Sequence, residues 1–272
     1  MRIAIIGGTG QMGRWFAILF KKKGHSVIIS GRRYRKAARI AKELGISAAK
    51  TNRDAIGGAD LIILSVLPPY LEGVLKEISP HLTNKQGVID ITSIKVVPVM
   101  LMHKHIRRSM ILGTHPMFGP SAEAKGQNFI LTPTNKPERS FAKKLGKMLS
   151  SYGFSVRITT PEKHDAAIGY ILSLTHFIGF VTADTWKKLK IEQYMDTSST
   201  SFKFLLGFAK SVVDSDPDLY SYIQMDVPTA SKAESAFVKQ SQMWVRMVGR
   251  KDRVRFKSRM DELSAYLERL EL

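Results

Sequence analysis

A β-branched run, Arg2 to Ile6, passes directly into Gly8-Thr9-Gly10-Gln11-Met12-Gly13 and then into a helical pattern carrying Trp15, Phe16, Leu19 and Phe20. A Gly-x-Gly-x-x-Gly string alone is a weak signal. Lodged between a strand and a helix, it has a mechanical reason: the glycines allow a tight turn and let backbone N–H groups approach a pyrophosphate. The positive end of the following helix favours the same anion. Gly8, Thr9, Gly10, Gln11, Met12 and Gly13 are therefore cofactor-contact candidates, and the chain is expected to open on a βαβ unit.

The next strand, Ser26 to Ile29, ends in Ser30-Gly31-Arg32-Arg33. An NAD-preferring site usually places an acidic residue here, about twenty residues after the glycines, to bond the ribose hydroxyls. No acid is present. Ser30, Arg32 and Arg33 instead suit a 2′-phosphate through charge-assisted bonds, so NADP is preferred over NAD. A solvated start to the following helix is the plainer reading of the two arginines.

Helical and strand patterns then alternate: helix Lys36 to Leu44, strand Leu61 to Val66, helix Leu71 to Ile78, strand Val88 to Ile91 and helix Val96 to His105. The third strand runs into Leu67-Pro68-Pro69, which places Leu67 and Pro68 at the cofactor edge. Asp90-Ile91-Thr92-Ser93-Ile94-Lys95 follows the fourth, with Ser93 and Lys95 toward the nicotinamide end. Such alternation specifies an α/β fold with a Rossmann-like, doubly wound, mostly parallel sheet.

Met110 to Leu112 forms a short strand, and Gly113-Thr114-His115-Pro116-Met117-Phe118-Gly119-Pro120 follows it as a turn-rich segment. A histidine at the carboxyl end of a strand sits where α/β proteins put their chemistry. His115 can take a proton from a substrate hydroxyl near neutral pH. Taken alone, it is equally a histidine capping a turn.

Strands Asn128 to Thr132 and Val156 to Thr159 flank a helix from Ser140 to Tyr152. From Pro161 onward only helical patterns appear, near Ser201 to Asp214, Asp218 to Met225, Ser231 to Val248 and Arg253 to Leu270. The expected organisation is a dinucleotide-binding domain, residues 1–160, and an all-α domain for substrate and dimerisation, residues 161–272. Ala166 to Ala183 contains no Asp, Glu, Lys or Arg. That touches the lower limit of a membrane span, but a helix apolar on all sides is more economically a buried core or dimer-interface helix. His176 lies on it.

Two features of composition narrow the function. With no cysteine, neither a disulfide framework nor a thiolate metal site is available, and no metal is expected. The formal net charge of +19 suits anionic ligands, but its basic residues are scattered and not built into a nucleic-acid module. No nucleic acid and no membrane are expected as partners. The amino terminus enters a strand at once, and a cytoplasmic enzyme is the simplest reading.

The chain resembles the prephenate and arogenate dehydrogenases. The resemblance rests on four blocks in order: Asp90-x-x-Ser93-x-Lys95, His115-Pro116-Met117-Phe118-Gly119-Pro120, Thr160-Pro161-Glu162-Lys163-His164-Asp165 and Ser173-Leu174-Thr175-His176. The segment Asp218-Leu219-Tyr220 to Gln224-Met225 is similar to archaeal-type members. The resemblance implies that His115 is the catalytic base, that Ser93 bonds the substrate hydroxyl or orients the base, and that His176 shapes the substrate pocket. It implies oxidative decarboxylation with NADP as hydride acceptor, in tyrosine biosynthesis, by a homodimer joined through its helical domain. One position departs from the bacterial pattern. After Phe202-Lys203, Gly207 stands where a substrate-binding Arg is expected. An anionic substrate still needs a cation, for which Lys203, Lys210 and Arg246 are candidates, and the choice between prephenate and arogenate stays open.

Two alternatives predict different behaviour. Ile6 to Gly10 with Gly31-Arg32-Arg33 is also similar to deazaflavin-dependent NADP reductases, which do not require Ser93, His115 and His176 together. A basic, non-enzymatic NADP-binding regulator would bind nucleic acid in a way that survives physiological salt.

Overall fold

The computed structural model describes residues 1–270. Eight strands form one sheet in the order β3-β2-β1-β4-β5-β6-β7-β8. These are β1 (Arg2–Ile6), β2 (Ser26–Ser30), β3 (Ser47–Ala48), β4 (Leu61–Leu64), β5 (Gly87–Asp90), β6 (Met110–Pro116), β7 (Asn128–Thr132) and β8 (Ser155–Ile158). All neighbours are parallel except β6 and β7. The α/β, doubly wound, mostly parallel architecture expected from sequence is therefore present.

Helices cover both faces: α1 (Gln11–Lys22), α2 (Tyr34–Leu44), α3 (Asn52–Ile56), α4 (Pro68–Ile78), α5 (Val96–His105) and α6 (Lys136–Ser151). The strand period of two divides the core. Ile3 and Ile5 point into one cluster with Phe16, Phe20 and Leu145, while Ala4 and Ile6 point into the other with Leu71, Leu75 and Met102. Each fully buried side chain of this size contributes about 1.5–3 kcal/mol, so both clusters hold the sheet edges that carry the site.

Two strands differ from expectation. β3 is only two residues long and was not anticipated. β6 does not stop at Leu112 but continues to Pro116, with Gly113, Thr114, His115 and Pro116 paired to Thr132, Leu131, Ile130 and Phe129. His115 is thus a strand residue and not a turn residue. Gly113 makes this possible, since a Cβ there would lie 2.4 Å from Thr132 Oγ1 and 2.5 Å from Val99 Cγ2.

The remaining elements are α7 (Pro161–Ile168), a π-helical turn (Gly169–Ser173), α8 (Leu174–Leu189), α9 (Thr200–Val213), α10 (Pro217–Met225), α11 (Ala230–Gly249) and α12 (Arg253–Leu267). No β-strand occurs among the described residues after β8. The chain divides into two compact units: residues 1–168 with 221–223, and the rest from Gly169 on. Inside the second, Gly169 abuts the Thr229–Ala230 backbone so closely that a Cβ would lie 2.1 Å from Thr229 Oγ1. The run Pro161–Leu189 is long and apolar enough to cross a membrane by length and composition, and 28% of its apolar window is buried. A wholly buried core helix, one of the two expectations for this run, is therefore not what the structure contains.

Candidate active site

The cofactor candidates come from three loops that the sheet order brings side by side. Strand order reverses between β1 and β4, the place where doubly wound sheets open a crevice. Gly7, with φ +80°, would clash through any Cβ with the Ser65 carbonyl oxygen at 2.1 Å, so the loops after β1 and β4 touch. A Cβ on Gly31 would meet the Thr9 side chain at 2.8 Å, which joins the loops after β1 and β2. At Gly13 a Cβ would lie 2.7 Å from the Gly7 carbonyl oxygen and 2.8 Å from Gly8 Cα, so only glycine lets α1 start this close to the turn.

The α1 amino terminus, with Gly10 as its N-cap, has no side-chain cap and no acidic residue in its first turn. Its free N–H groups and helix dipole suit a phosphate, so these residues fit a dinucleotide. Thr9, Gln11 and Met12 lie in this turn. Arg33 begins α2, and the Arg32 guanidinium lies 5.1 Å from the Tyr70 ring centroid. Leu67 is the N-cap of α4 and Pro68 its first residue. Ser30 departs from expectation: it is buried and its hydroxyl donates to Asn52 Oδ1 at 2.7 Å, so its donor is engaged away from any ligand.

A second cluster lies at the carboxyl ends of β5 and β6. The register places Gly113 beside Asp90, and the Thr114 N–H donates to Asp90 Oδ1 at 3.3 Å. Lys95 and Asp90 form an ion pair in which both side chains are 0% exposed. The Lys95 ammonium also donates to the Thr114 carbonyl at 2.6 Å. Burial pushes the Lys95 ammonium below its ordinary value, with Asp90 opposing. This placement corrects the substrate-ligand role expected of Lys95. Its charge is turned inward, where it ties the end of β5 to β6.

His115 is buried beside that pair, 4% exposed. Its Nδ1 lies 2.9 Å from His164 Nε2, and His164 Nδ1 lies 2.7 Å from Asp165 Oδ1. Asp165 accepts the Lys95 N–H at 2.7 Å and the Val96 N–H at 2.9 Å, and so caps α5 from outside. Burial first, then the neighbouring His164 and Lys95, hold His115 well below the usual histidine value. His164 is also lowered, chiefly by burial. A neutral imidazole has a free nitrogen that can accept a proton, while burial makes the protonated form less favourable. Reading residue types one at a time gave His164 and Asp165 no role. The available signal was the spacing of the buried residues Pro161, His164, Asp165 and Ile168, one helical face of α7.

Ser93 lies in the turn between β5 and α5, partly exposed, and among the described residues its side chain makes no hydrogen bond, to His115 or otherwise. His176 sits on α8 in the second unit. It is 7% exposed, its ring stacks on Tyr220 at 4.1 Å, and its Nδ1 has no hydrogen-bond partner among the described residues. Burial lowers His176 to about 4, so it is neutral at pH 7. Lys203 is exposed on α9, and a side chain at Gly207 would enter open space.

Comparison with known proteins finds two family models matched in succession along the chain. Residues 16–158 match the prephenate dehydrogenase nucleotide-binding domain, and residues 160–267 match the prephenate dehydrogenase dimerization domain. A "Probable arogenate/prephenate dehydrogenase" of Methanocaldococcus jannaschii is 33% identical over 98% of this chain, which spans 61% of that relative's length. Among solved structures, prephenate dehydrogenase from Aquifex aeolicus in complex with hydroxyphenyl propionate and NAD+ superposes with a TM-score of 0.79 at 20% identity, over 100% of this chain and 98% of that one. By contrast, the likeness to an F420-dependent NADP reductase of Methanothermobacter thermautotrophicus, 38% identical, is confined to 24% of this chain and 32% of that protein. With both halves matched in order along its length, the chain belongs to the prephenate dehydrogenase family.

Proposed function

We propose that this protein catalyses the oxidative decarboxylation of prephenate, or of arogenate, with NADP as hydride acceptor. The observation that carries the reading is His115, neutral, buried and anchored through one ring nitrogen at the carboxyl end of β6. Family membership and the hydroxyphenyl propionate and NAD+ held by the Aquifex aeolicus structure support the choice of substrate and cofactor classes.

In this reading His115 removes the proton of the ring hydroxyl. The C–H bond of the carbinol carbon breaks with its electron pair leaving as hydride. The bond to the ring carboxylate then breaks, CO₂ departs, and the pair left behind completes the aromatic ring. The proton on His115 returns to the phenolic oxygen. A bound nicotinamide dinucleotide supplies the hydride acceptor. Because aromatisation supplies the driving force, the protein mainly has to position two rings and move one proton.

Gly8, Thr9, Gly10, Gln11, Met12 and Gly13 hold the pyrophosphate, Leu67 and Pro68 border it, and Arg32 and Arg33 select a 2′-phosphate. Ser93 bonds the substrate hydroxyl, and His176 shapes the pocket wall. Lys203, Lys210 or Arg246 supplies the cation for the substrate carboxylate. A homodimer forms through the helical unit, where Phe204 and Val245 are 81% and 71% exposed and the matched family model is a dimerization domain. The reaction would serve tyrosine biosynthesis. Reduction of NADP and of NAD by prephenate and by arogenate, measured side by side, tests the reading. Reduction of NADP with one of the two acids is expected, and none with either overturns it.

A further inference from the structure

The hydrogen bonds behind His115 decide which of its nitrogens can act. Asp165 Oδ1 and Oδ2 already accept the backbone N–H groups of Lys95 and Val96 at the start of α5. A carboxylate in that position is an acceptor only, and the helix end favours its charge. The hydrogen in the 2.7 Å contact between His164 Nδ1 and Asp165 Oδ1 must then come from the histidine. A neutral imidazole carries one N–H, so His164 Nε2 is left as an acceptor. It faces His115 Nδ1 at 2.9 Å, which must therefore be the donor. The remaining His115 nitrogen, Nε2, holds its lone pair and has no hydrogen-bond partner among the described residues, nor is it among the fully enclosed unpartnered atoms.

We propose that Asp165 and His164 are positioning residues that set the tautomer of His115, leaving Nε2 as the proton-accepting atom. This rests on the reading of His115 as the base. The α5 amino terminus orients Asp165, Asp165 orients His164, and His164 orients His115. When Nε2 takes a proton, the cation formed on His115 is met by the Asp165 charge through His164. The other charged groups around the chain, Lys95 on the β5–α5 turn and Asp90 on β5, form a pair with each other. They leave Asp165 as the carboxylate in line with the imidazoles.

Long-range proton–nitrogen correlation spectra of the full chain with ¹⁵N-labelled histidine test this without any substrate. Each of the seven histidines contributes a ring pattern, and His115 and His164 are assigned by the signals lost in His115→Asn and His164→Asn. The expected pattern is Nδ1–H with an unprotonated Nε2 for both His115 and His164. An Nε2–H form of His115 overturns the proposal, even if the protein proves to oxidise prephenate. The Asp165→Asn variant is expected to shift His115 toward the Nε2–H form and to lower kcat about 10²- to 10⁴-fold, the range for a mis-set general base, with KM for NADP little changed. Unchanged tautomer and kcat in that variant also overturn it. If instead the tautomers are as expected but neither acid is a substrate, only the reading of the reaction fails.

Discussion

Replacing Lys95 with Met removes one ammonium and keeps most of the stem volume, and so isolates the charge of a fully buried ion pair. Both Lys95 and Asp90 have side chains with 0% exposure, whereas the exposed pair Lys188–Asp184 leaves 77% and 66% of its side chains in solvent. Breaking a surface pair of that kind costs about 0–1 kcal/mol. Stranding one charge of a buried pair costs about 3–5 kcal/mol. Asp90 keeps the Thr92 N–H at 3.1 Å, the Thr92 hydroxyl at 2.5 Å and the Thr114 N–H at 3.3 Å, which points to the lower end of that range.

The expected loss is therefore about 3–4 kcal/mol, equivalent to roughly 6–16 °C in Tm at about 2–4 °C per kcal/mol for a unit of this size. Urea unfolding followed by Trp15 fluorescence reads it, since Trp15 packs 4.8 Å from Phe118 in the first unit. Trp186 and Trp244 are changed to Phe in the background so that Trp15 alone reports. Adding Asp90→Asn should recover part of the loss. A deficit below about 1 kcal/mol, the value of a surface pair, refutes the argument that this pair holds β5 to β6.

Three further outcomes are expected. Arg32→Ala with Arg33→Ala should weaken NADP by about tenfold to a hundredfold, from ~1.5–3 kcal/mol for lost charge-assisted bonds, and leave NAD nearly unchanged by calorimetry; equal losses remove the 2′-phosphate argument. As the proposed base, His115 would have to be deprotonated to act, and it is held well below 6.5, so kcat/KM should stay level from pH 8 down through 6.5 and fall only in more acidic solution. An acidic limb centred at or above 6.5 contradicts the burial argument. Gly113→Ala should cost about 1–3 kcal/mol by overpacking, because the new methyl meets Thr132 Oγ1 and Val99 Cγ2 at about 2.5 Å or less; stability within experimental error of the parent would show that β6 shifts freely.

Much of the sheet could be read from residue order, because β1, β2, β4 and β5 are short apolar runs bounded by glycine or polar turns. α5 is another case: Val96 to His105 was expected and is observed. β3 left no signal, since two residues paired to Ile28 and Ile29 carry no period. Residue types alone end β6 at Leu112, because Gly113, His115 and Pro116 are poor strand formers. The ladder to β7 overrides that propensity, and Pro116 sits at the strand's last position. Gly169, the first residue of the π-helical turn Gly169–Ser173, packs closely against Thr229, sixty residues away in the chain, a contact no local pattern encodes.

The same division holds in the candidate site. The glycine turn, the paired arginines and His115 can be picked out as candidates because each is a local pattern with a mechanical reason. The inward turn of Lys95 has no local signal, because its partner, five residues back at the end of β5, faces it only once the turn is folded. The contact His164 makes is hidden from the sequence for a related reason. It is made with a residue forty-nine positions earlier, through the buried face of a short helix.

The central claim is that His115 is the base, and turnover of His115→Asn tests it most directly. Asn keeps a side-chain donor for His164 but offers no basic nitrogen. With prephenate or arogenate, whichever the wild type oxidises, kcat should fall by about two to four orders of magnitude, while NADP affinity stays nearly intact. Turnover near the wild-type rate in a folded, NADP-binding variant would contradict the account.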